Sequence, residues 1–125
     1  MKEKINEYLM QNKTIEFKDL LFSFIDEKKL RDSEVYKKAG IDRKTFSKIR
    51  CINQYIPKKN NVIKLCLSLS LDLDQTIELL SSAGYQLSTN NNFDLIIRYF
   101  IERGIYDLDL INDYLDIFAD TILNW

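Results

Sequence analysis

The residues with the clearest chemical potential in this chain are the lysines and arginines of its middle third. Between Lys28 and Lys64 the chain carries twelve basic and three acidic residues, a net charge of +9, although the whole chain has a net charge of −1. Residues 1–27 carry −2 and residues 65–125 carry −8. This asymmetry predicts a basic face that binds a polyanion. The alternative is that the charges are paired internally or are segregated by chance.

Nucleophilic and metal chemistry have little support in the sequence. The chain contains no histidine and two cysteines, Cys51 and Cys66, which lie fifteen positions apart. No His-based triad or general base can be built, and two thiolates alone make a poor metal site. Acid pairs such as Asp72 and Asp74 stand at expected helix starts, where carboxylates serve as caps. There is also no glycine-rich phosphate loop. We therefore expect a protein that is not an enzyme, has reduced thiols and binds no metal or cofactor.

The elements that position these residues are predicted to be helices. A chain of 125 residues with 46% hydrophobic residues can bury a core as one domain without disulfides. Three glycines and one proline are too few for the turns of a β-fold. The N-terminus lacks the apolar run of a signal peptide, and no stretch approaches the ~20 residues of a membrane span. We expect a cytoplasmic protein with no membrane segment.

The spacing of apolar residues predicts where the helices lie in the N-terminal half. A short helix is predicted for residues 3–12. An amphipathic helix begins near Phe17, because apolar residues recur from there at steps of three and four. Two short helices then flank Gly40, which suits a left-handed helix stop. Asp42 is the expected cap of the second of these helices.

Further helices are predicted for the C-terminal half. Pro57 suits the entrance to one helix, and the next runs from a cap at Asp72 or Asp74 to Gly84. The stretch 88–92 is a linker, followed by a helix over 93–103 and a last helix over about 107–123. The last helix carries an apolar stripe of Leu108, Ile111, Leu115, Phe118 and Ile122. An acidic row lies opposite the stripe: Asp109, Asp113, Asp116 and Asp120.

This C-terminal stripe has two interpretations. The favoured one is a core-facing stripe with a solvated acidic back. The other is a dimerisation or partner-docking element, because the stripe is spaced like heptads over little more than two repeats. The acidic row is also of the kind that covers a basic protein surface or mimics a nucleic-acid backbone.

The stretch LRDSEVYKKAGIDRKTFSKIR, from Leu30 to Arg50, resembles the helix-turn-helix of the repressor/Cro (XRE-like) family. The resemblance is carried by Val35, by Ala39-Gly40-Ile41 at the turn, by the cap Asp42, and by the apolar positions Phe46 and Ile49. It implies an all-α fold with a five-helix helix-turn-helix core over residues 17–84. Residues 1–16 then form an N-terminal helix or arm, and 93–125 a two-helix C-terminal extension.

In such a motif the start of the second helix reaches base edges in the major groove. Arg43, Lys44 and Lys48 must point outward if Phe46 and Ile49 point inward. Of these, Arg43 and Lys44 are the expected base-reading residues, and Thr45 and Ser47 suit phosphate or base contacts. Arginine and lysine suit the acceptors of guanine. The full DNA-binding set that we predict is Arg43, Lys44, Thr45, Ser47, Lys48, Arg50, Lys37, Lys38, Lys58 and Lys59. We expect the last four and Arg50 to contact phosphates, which position the protein without specifying sequence.

A narrower resemblance extends along the chain. The runs VYKKAGIDRKTFSKIR, LLSSAGYQLS and FDLIIRYFIERGIYDLDLINDYL are similar to the helical region that accompanies some bacterial macrodomain proteins. This chain has neither the room nor the glycine-rich loops for a macrodomain, so ADP-ribose processing is not implied.

The predicted function is a small transcriptional regulator that binds duplex DNA as a homodimer. Two residues depart from the family pattern: Tyr36 stands where a small residue is usual, and Asp32 near where a neutral glutamine approaches a phosphate. These departures keep open a protein-interaction module on the same scaffold. Such a module would be an adaptor or an inhibitor, for example one encoded by a phage or mobile element and directed at a nucleic-acid enzyme.

Overall fold

The computed structural model describes residues 1–123 and confirms an all-α chain, with eight helices and no strand in that range. The helices are α1 (Lys2–Asn12), α2 (Phe17–Glu27), α3 (Asp32–Ala39), α4 (Arg43–Cys51), α5 (Lys59–Ser68), α6 (Leu73–Ser82), α7 (Asn92–Glu102) and α8 (Leu108–Ala119). Each predicted helix is present. The last two residues of the predicted 93–125 extension lie outside the described range.

Helix α5 is the centre of the core. Every residue from Val62 to Leu69 is buried, as expected of a helix that is covered on all sides. It packs against α3 on one side and α6 on another, and α6 in turn contacts α2 and α7. The Cys66 thiol lies inside this core as a free thiol, and burial raises its pKa to about 12. Helix α2 contributes five buried apolar residues at the predicted spacing: Phe17, Leu20, Leu21, Phe24 and Ile25.

Two polar contacts join the α7–α8 pair to this core, one between two side chains and one between a side chain and the backbone. Lys59, at the start of α5, forms an ion pair with Asp94 of α7, with an Nζ–Oδ2 distance of 2.8 Å. The hydroxyl of Tyr106 donates to the carbonyl of Leu71 at 2.8 Å. These contacts fix the C-terminal pair relative to α5 and α6.

Helix α8 is shorter than the sequence predicts. It ends at Ala119 because Asp120 adopts a left-handed conformation with φ of 53°. The chain then folds back, and the Asn112 side chain holds both backbone groups of Leu123, at 2.8 Å to its N–H and 2.9 Å to its carbonyl. The prediction of a helix to residue 123 was therefore wrong. Leu123 is buried as part of a turn held by an asparagine.

Helix α1 differs from the other seven, because none of its residues is buried. It also has no side-chain cap at its N-terminus. Ile5, Tyr8 and Leu9, the apolar residues that predicted it, are 50%, 65% and 47% exposed. Within residues 1–123, no helix has the length and apolar character that crossing a membrane requires.

Candidate nucleic-acid interface

The turn between α3 and α4 has the local structure that the motif requires. Gly40 ends α3 in a left-handed conformation, with φ of 68°, which costs glycine little because it has no Cβ. The Asp42 side chain then caps α4 by accepting from the Thr45 N–H at 2.6 Å. That hydrogen bond, helped by the nearby Lys48 and Lys44, lowers the pKa of Asp42 below its ordinary value of 3.8.

Helix α4 is amphipathic, and its two apolar residues are both in the core. Phe46 is 3% exposed and Ile49 is 0% exposed. Because these side chains fix the rotation of the helix, the opposite face lies in solvent. That outer face of α4 consists of Arg43, Lys44, Ser47, Lys48 and Cys51, all exposed. Thr45 is half-buried, on the side where its N–H meets the cap.

Tyr36, one of the two departures from the family pattern, is part of an aromatic cluster between α2, α3 and α4. Its ring centroid lies 5.4 Å from that of Phe46. Phe46 also meets the Phe22 ring edge-on, with centroids 5.9 Å apart, a favoured geometry for aromatic pairs. Tyr36 therefore packs against Phe46, which itself lies between the rings of Tyr36 and Phe22.

Asp32, the other departure, is paired inside the motif. The Arg50 guanidinium donates to its carboxylate twice, from Nε at 2.7 Å and from Nη2 at 2.9 Å. The same guanidinium lies 4.0 Å from the centroid of the Phe22 ring. The bond to Asp32 raises the pKa of Arg50. This pair connects the start of α3 to the end of α4, and it occupies an arginine that the sequence assigned to a phosphate.

Not every basic residue of the middle third contributes to an exposed surface. Lys64 is only 5% exposed, and burial lowers its pKa. Lys59, also predicted to contact phosphate, directs its ammonium to Asp94, which is 1% exposed. The remaining predicted basic residues are exposed, and no ion pair within residues 1–123 involves them. We call these six side chains the basic set: Lys37, Lys38, Arg43, Lys44, Lys48 and Lys58.

The predicted stripe of α8 is divided by the structure. Ile111 and Leu115 are fully buried in the core of the same chain, and Leu108 is half-buried. These residues are therefore not available on the surface for a second subunit. Phe118 and Ile122, at 58% and 38% exposed, remain on the surface.

A second surface was missed by the sequence analysis. Helices α7 and α8 form an open groove of about 550 Å³ with an apolar lining, which we call the α7–α8 groove. It is lined by Leu95, Ile96, Tyr99, Phe100, Ile105, Leu110, Tyr114 and Phe118. The sequence signal was the spacing of Leu110, Tyr114 and Ile117, which marks a second apolar face on α8 beside the core stripe.

No group of three or more His, Cys, Asp or Glu side chains in residues 1–123 is arranged to hold a metal ion. Both cysteines are free thiols, Cys51 exposed and Cys66 buried. Comparisons of this chain with protein-family models, with curated proteins and with solved structures found no match.

Proposed function

We propose that this protein binds duplex DNA through the outer face of α4 and acts as a small transcriptional regulator. The observation that carries the proposal is the basic set. All six cations are exposed, and three of them, Arg43, Lys44 and Lys48, lie on the outer face of α4, whose rotation is fixed by Phe46 and Ile49. A polyanion offers such a surface more negative charge than the exposed Asp42 carboxylate beside Lys44 and Lys48 supplies.

The roles within the basic set follow from position. Arg43 and Lys44 stand at the N-terminal end of α4, the end that reaches base edges when such a helix enters the major groove. An arginine there can donate two hydrogen bonds to guanine O6 and N7. Lys37 and Lys38 lie at the end of α3, and Lys58 lies directly before α5; we assign them to phosphates, which fix register without reading sequence.

The test of DNA binding is a titration with salt on random-sequence duplex DNA. The three lysines assigned to phosphates should give a slope of log Kd against log salt of about 3, since each contact contributes about 0.9, and the slope would rise to about 5 if all six members of the basic set neutralise phosphates. Absence of binding at low salt, or binding that salt does not weaken, would overturn the proposal.

A matched pair of variants tests the assignment of α4. Arg43→Ala should reduce discrimination between the preferred and random sequences by about 1–3 kcal/mol, because it removes a base contact. Lys58→Ala should weaken binding to all sequences equally. Competition assays with specific and random duplexes measure both effects, and identical behaviour of the two variants would contradict the assignment.

Cys51 offers a footprint that leaves the fold intact. It is exposed on the outer face of α4, 3.8 Å from the Ser47 hydroxyl through its Sγ, whereas Cys66 is buried with a raised pKa of about 12. A maleimide should therefore label Cys51 alone, since thiolates are the reactive species. The adduct should abolish DNA binding while the melting temperature stays unchanged. The Cys51→Ser protein treated in the same way is the control and should keep its binding.

A second candidate function is a protein-interaction module, which the exposed apolar lining of the α7–α8 groove favours. Contiguous apolar surface on a small protein commonly marks an interaction site. The salt titration separates the two functions, because a module of this second kind has no reason to bind random duplex DNA.

A further inference from the structure

Helix α1 lacks the contacts that normally stabilise a helix of its length. It has eleven residues, no side-chain cap and no buried residue. Isolated helices shorter than about 12–15 residues are marginal in water, and tertiary packing supplies most of their stability. Four residues separate its end from Phe17, which is buried at the start of α2. The helix therefore needs a surface on which to pack.

The α7–α8 groove exposes apolar side chains to solvent, and binding of an apolar partner would bury them. Tyr99, Tyr114 and Phe118 line it and are 50%, 43% and 58% exposed. Helices α7 and α8 have eleven and twelve residues. At 1.5 Å per residue, α1 and the groove are each about 16–18 Å long. An amphipathic helix lying in an apolar groove is a common mode of recognition.

The charges beside the two apolar surfaces are complementary. On α1, Met1, Ile5, Tyr8 and Leu9 share one face at helical spacing. Two lysines of α1 lie along the edges of this face, since Lys4 is four positions before Tyr8 and Lys2 is three positions before Ile5. Glu3 and Glu7 fall on the opposite face.

On α8, the row of Asp109, Asp113, Asp116 and Asp120 is exposed. Leu110 lines the groove, and Asp113 lies three positions after it, so Asp113 is the member of the row that stands beside the groove. A helix with lysines at the edges of its apolar face thus fits a groove with the Asp113 carboxylate at one edge.

We propose that α1 of one copy of this chain binds in the α7–α8 groove of a second copy, and that the exchange is reciprocal. A symmetric pair forms two such contacts, which bury both arms and both grooves. The inference does not rest on DNA binding, because neither surface includes a member of the basic set.

The experiment measures the mass of the full-length protein by light scattering and its dimer dissociation constant by sedimentation. The wild-type chain should have twice the mass of one chain at micromolar concentration. Tyr8→Asp and Phe118→Asp should each raise the dissociation constant at least about a hundredfold, because every substitution occurs twice in the dimer. Met10→Asp is the matched control: Met10 is 82% exposed and lies on the other face of α1, and this variant should remain dimeric.

Mixing the two disruptive variants distinguishes arm exchange from other dimers. A Tyr8→Asp chain and a Phe118→Asp chain together retain one intact arm in one intact groove, so the mixture should form a heterodimer that neither variant forms alone. Lys4→Glu should weaken association, and combining it with Asp113→Lys should restore it. A monomeric wild-type protein would overturn the proposal. A monomer whose α1 binds the groove of its own chain would overturn it too, because the proposal requires exchange between two copies. A Tyr8→Asp protein that stays dimeric would overturn it as well.

Discussion

The α3–α4 pair and the α7–α8 pair have the same helix stop and helix cap, but the first exposes a charged surface and the second an apolar one. In each pair a glycine in the left-handed conformation follows the first helix, Gly40 with φ of 68° and Gly104 with φ of 67°. In each pair an aspartate caps the second helix, Asp42 on α4 and Asp107 on α8. The outer face of the first pair is basic and polar, whereas that of the second is an apolar groove.

The difference lies in how many apolar residues each second helix carries. The two buried apolar residues of α4, Phe46 and Ile49, leave a charged outer face. Helix α8 buries Ile111 and Leu115 and still exposes a further apolar set: Leu110, Tyr114, Ile117 and Phe118. The same capped-helix construction therefore supports two kinds of contact, and the outer residues decide which one.

The largest expected effect is on the free energy of unfolding, and it distinguishes the buried face of α8 from its exposed face. Leu115→Asp places a carboxylate where the native side chain is 0% exposed, and should lower the free energy of unfolding by more than about 4 kcal/mol. Phe118→Asp, on the exposed face of the same helix, should change it by less than about 0.5 kcal/mol in dilute protein, where association contributes little. Urea denaturation measures both. Equal destabilisation by the two variants would show that the groove face belongs to the core.

The next effect compares the two ion pairs that fix these regions. Asp94 is 1% exposed and also accepts from the Ser88 N–H at 2.7 Å. Asp94→Asn removes the buried charge opposite Lys59 and should cost about 3 kcal/mol. Asp32→Asn acts on a pair whose side chains are 51% and 34% exposed, and should cost less than about 1 kcal/mol. The reverse order of these two unfolding free energies would contradict the assigned burial of the pairs.

These ion pairs also mark what the sequence could not predict. Arg50 and Asp32 are 18 positions apart, and Lys59 and Asp94 are 35 apart. Because no helical spacing connects the two members of either pair, the sequence analysis assigned Arg50 and Lys59 to phosphate contacts. The end of α8 could not be predicted for the same reason, because the Asn112 side chain binds the backbone of Leu123 from eleven positions away.

Features determined by neighbouring residues were predictable. The stop at Gly40 and the cap at Asp42 depend on hydrogen bonds to residues three to five positions away. The apolar spacing of α2 likewise determines its buried face without information from the rest of the chain. Of the candidate DNA-binding residues, the sequence could place Arg43, Lys44 and Lys48 on an outer face, because Phe46 and Ile49 in the same helix face inward.

A smaller effect, on the salt dependence of DNA binding, tests whether the ion pair with Asp32 keeps Arg50 from contacting a phosphate. In Asp32→Asn the guanidinium loses its carboxylate partner and becomes available to a phosphate. If the proposed interface is correct, the slope of log Kd against log salt should steepen by about 0.9, the value of one added phosphate contact. Asp32→Asn combined with Arg50→Gln is the control and should return the slope to that of the wild-type protein. An unchanged slope in the single variant would place Arg50 away from the DNA.

The smallest effect concerns pH and the cap of α4. The folded pKa of Asp42 is lowered by the hydrogen bond from the Thr45 N–H, so the carboxylate is favoured in the folded chain relative to the unfolded one. Its stabilising contribution is therefore fully present above the ordinary value of 3.8 and is lost as the pH falls through the lower folded pKa. Asp42→Ala should have a lower urea midpoint than the wild-type protein near neutral pH, and the difference should shrink as the solution is acidified well below 3.8. Asp42→Asn retains a capping oxygen but has no titrating group. The difference in urea midpoint between Asp42→Asn and Asp42→Ala should therefore not change with pH. A gap between wild type and Asp42→Ala that persists undiminished in acid would mean that the ionised carboxylate is not what holds the start of α4.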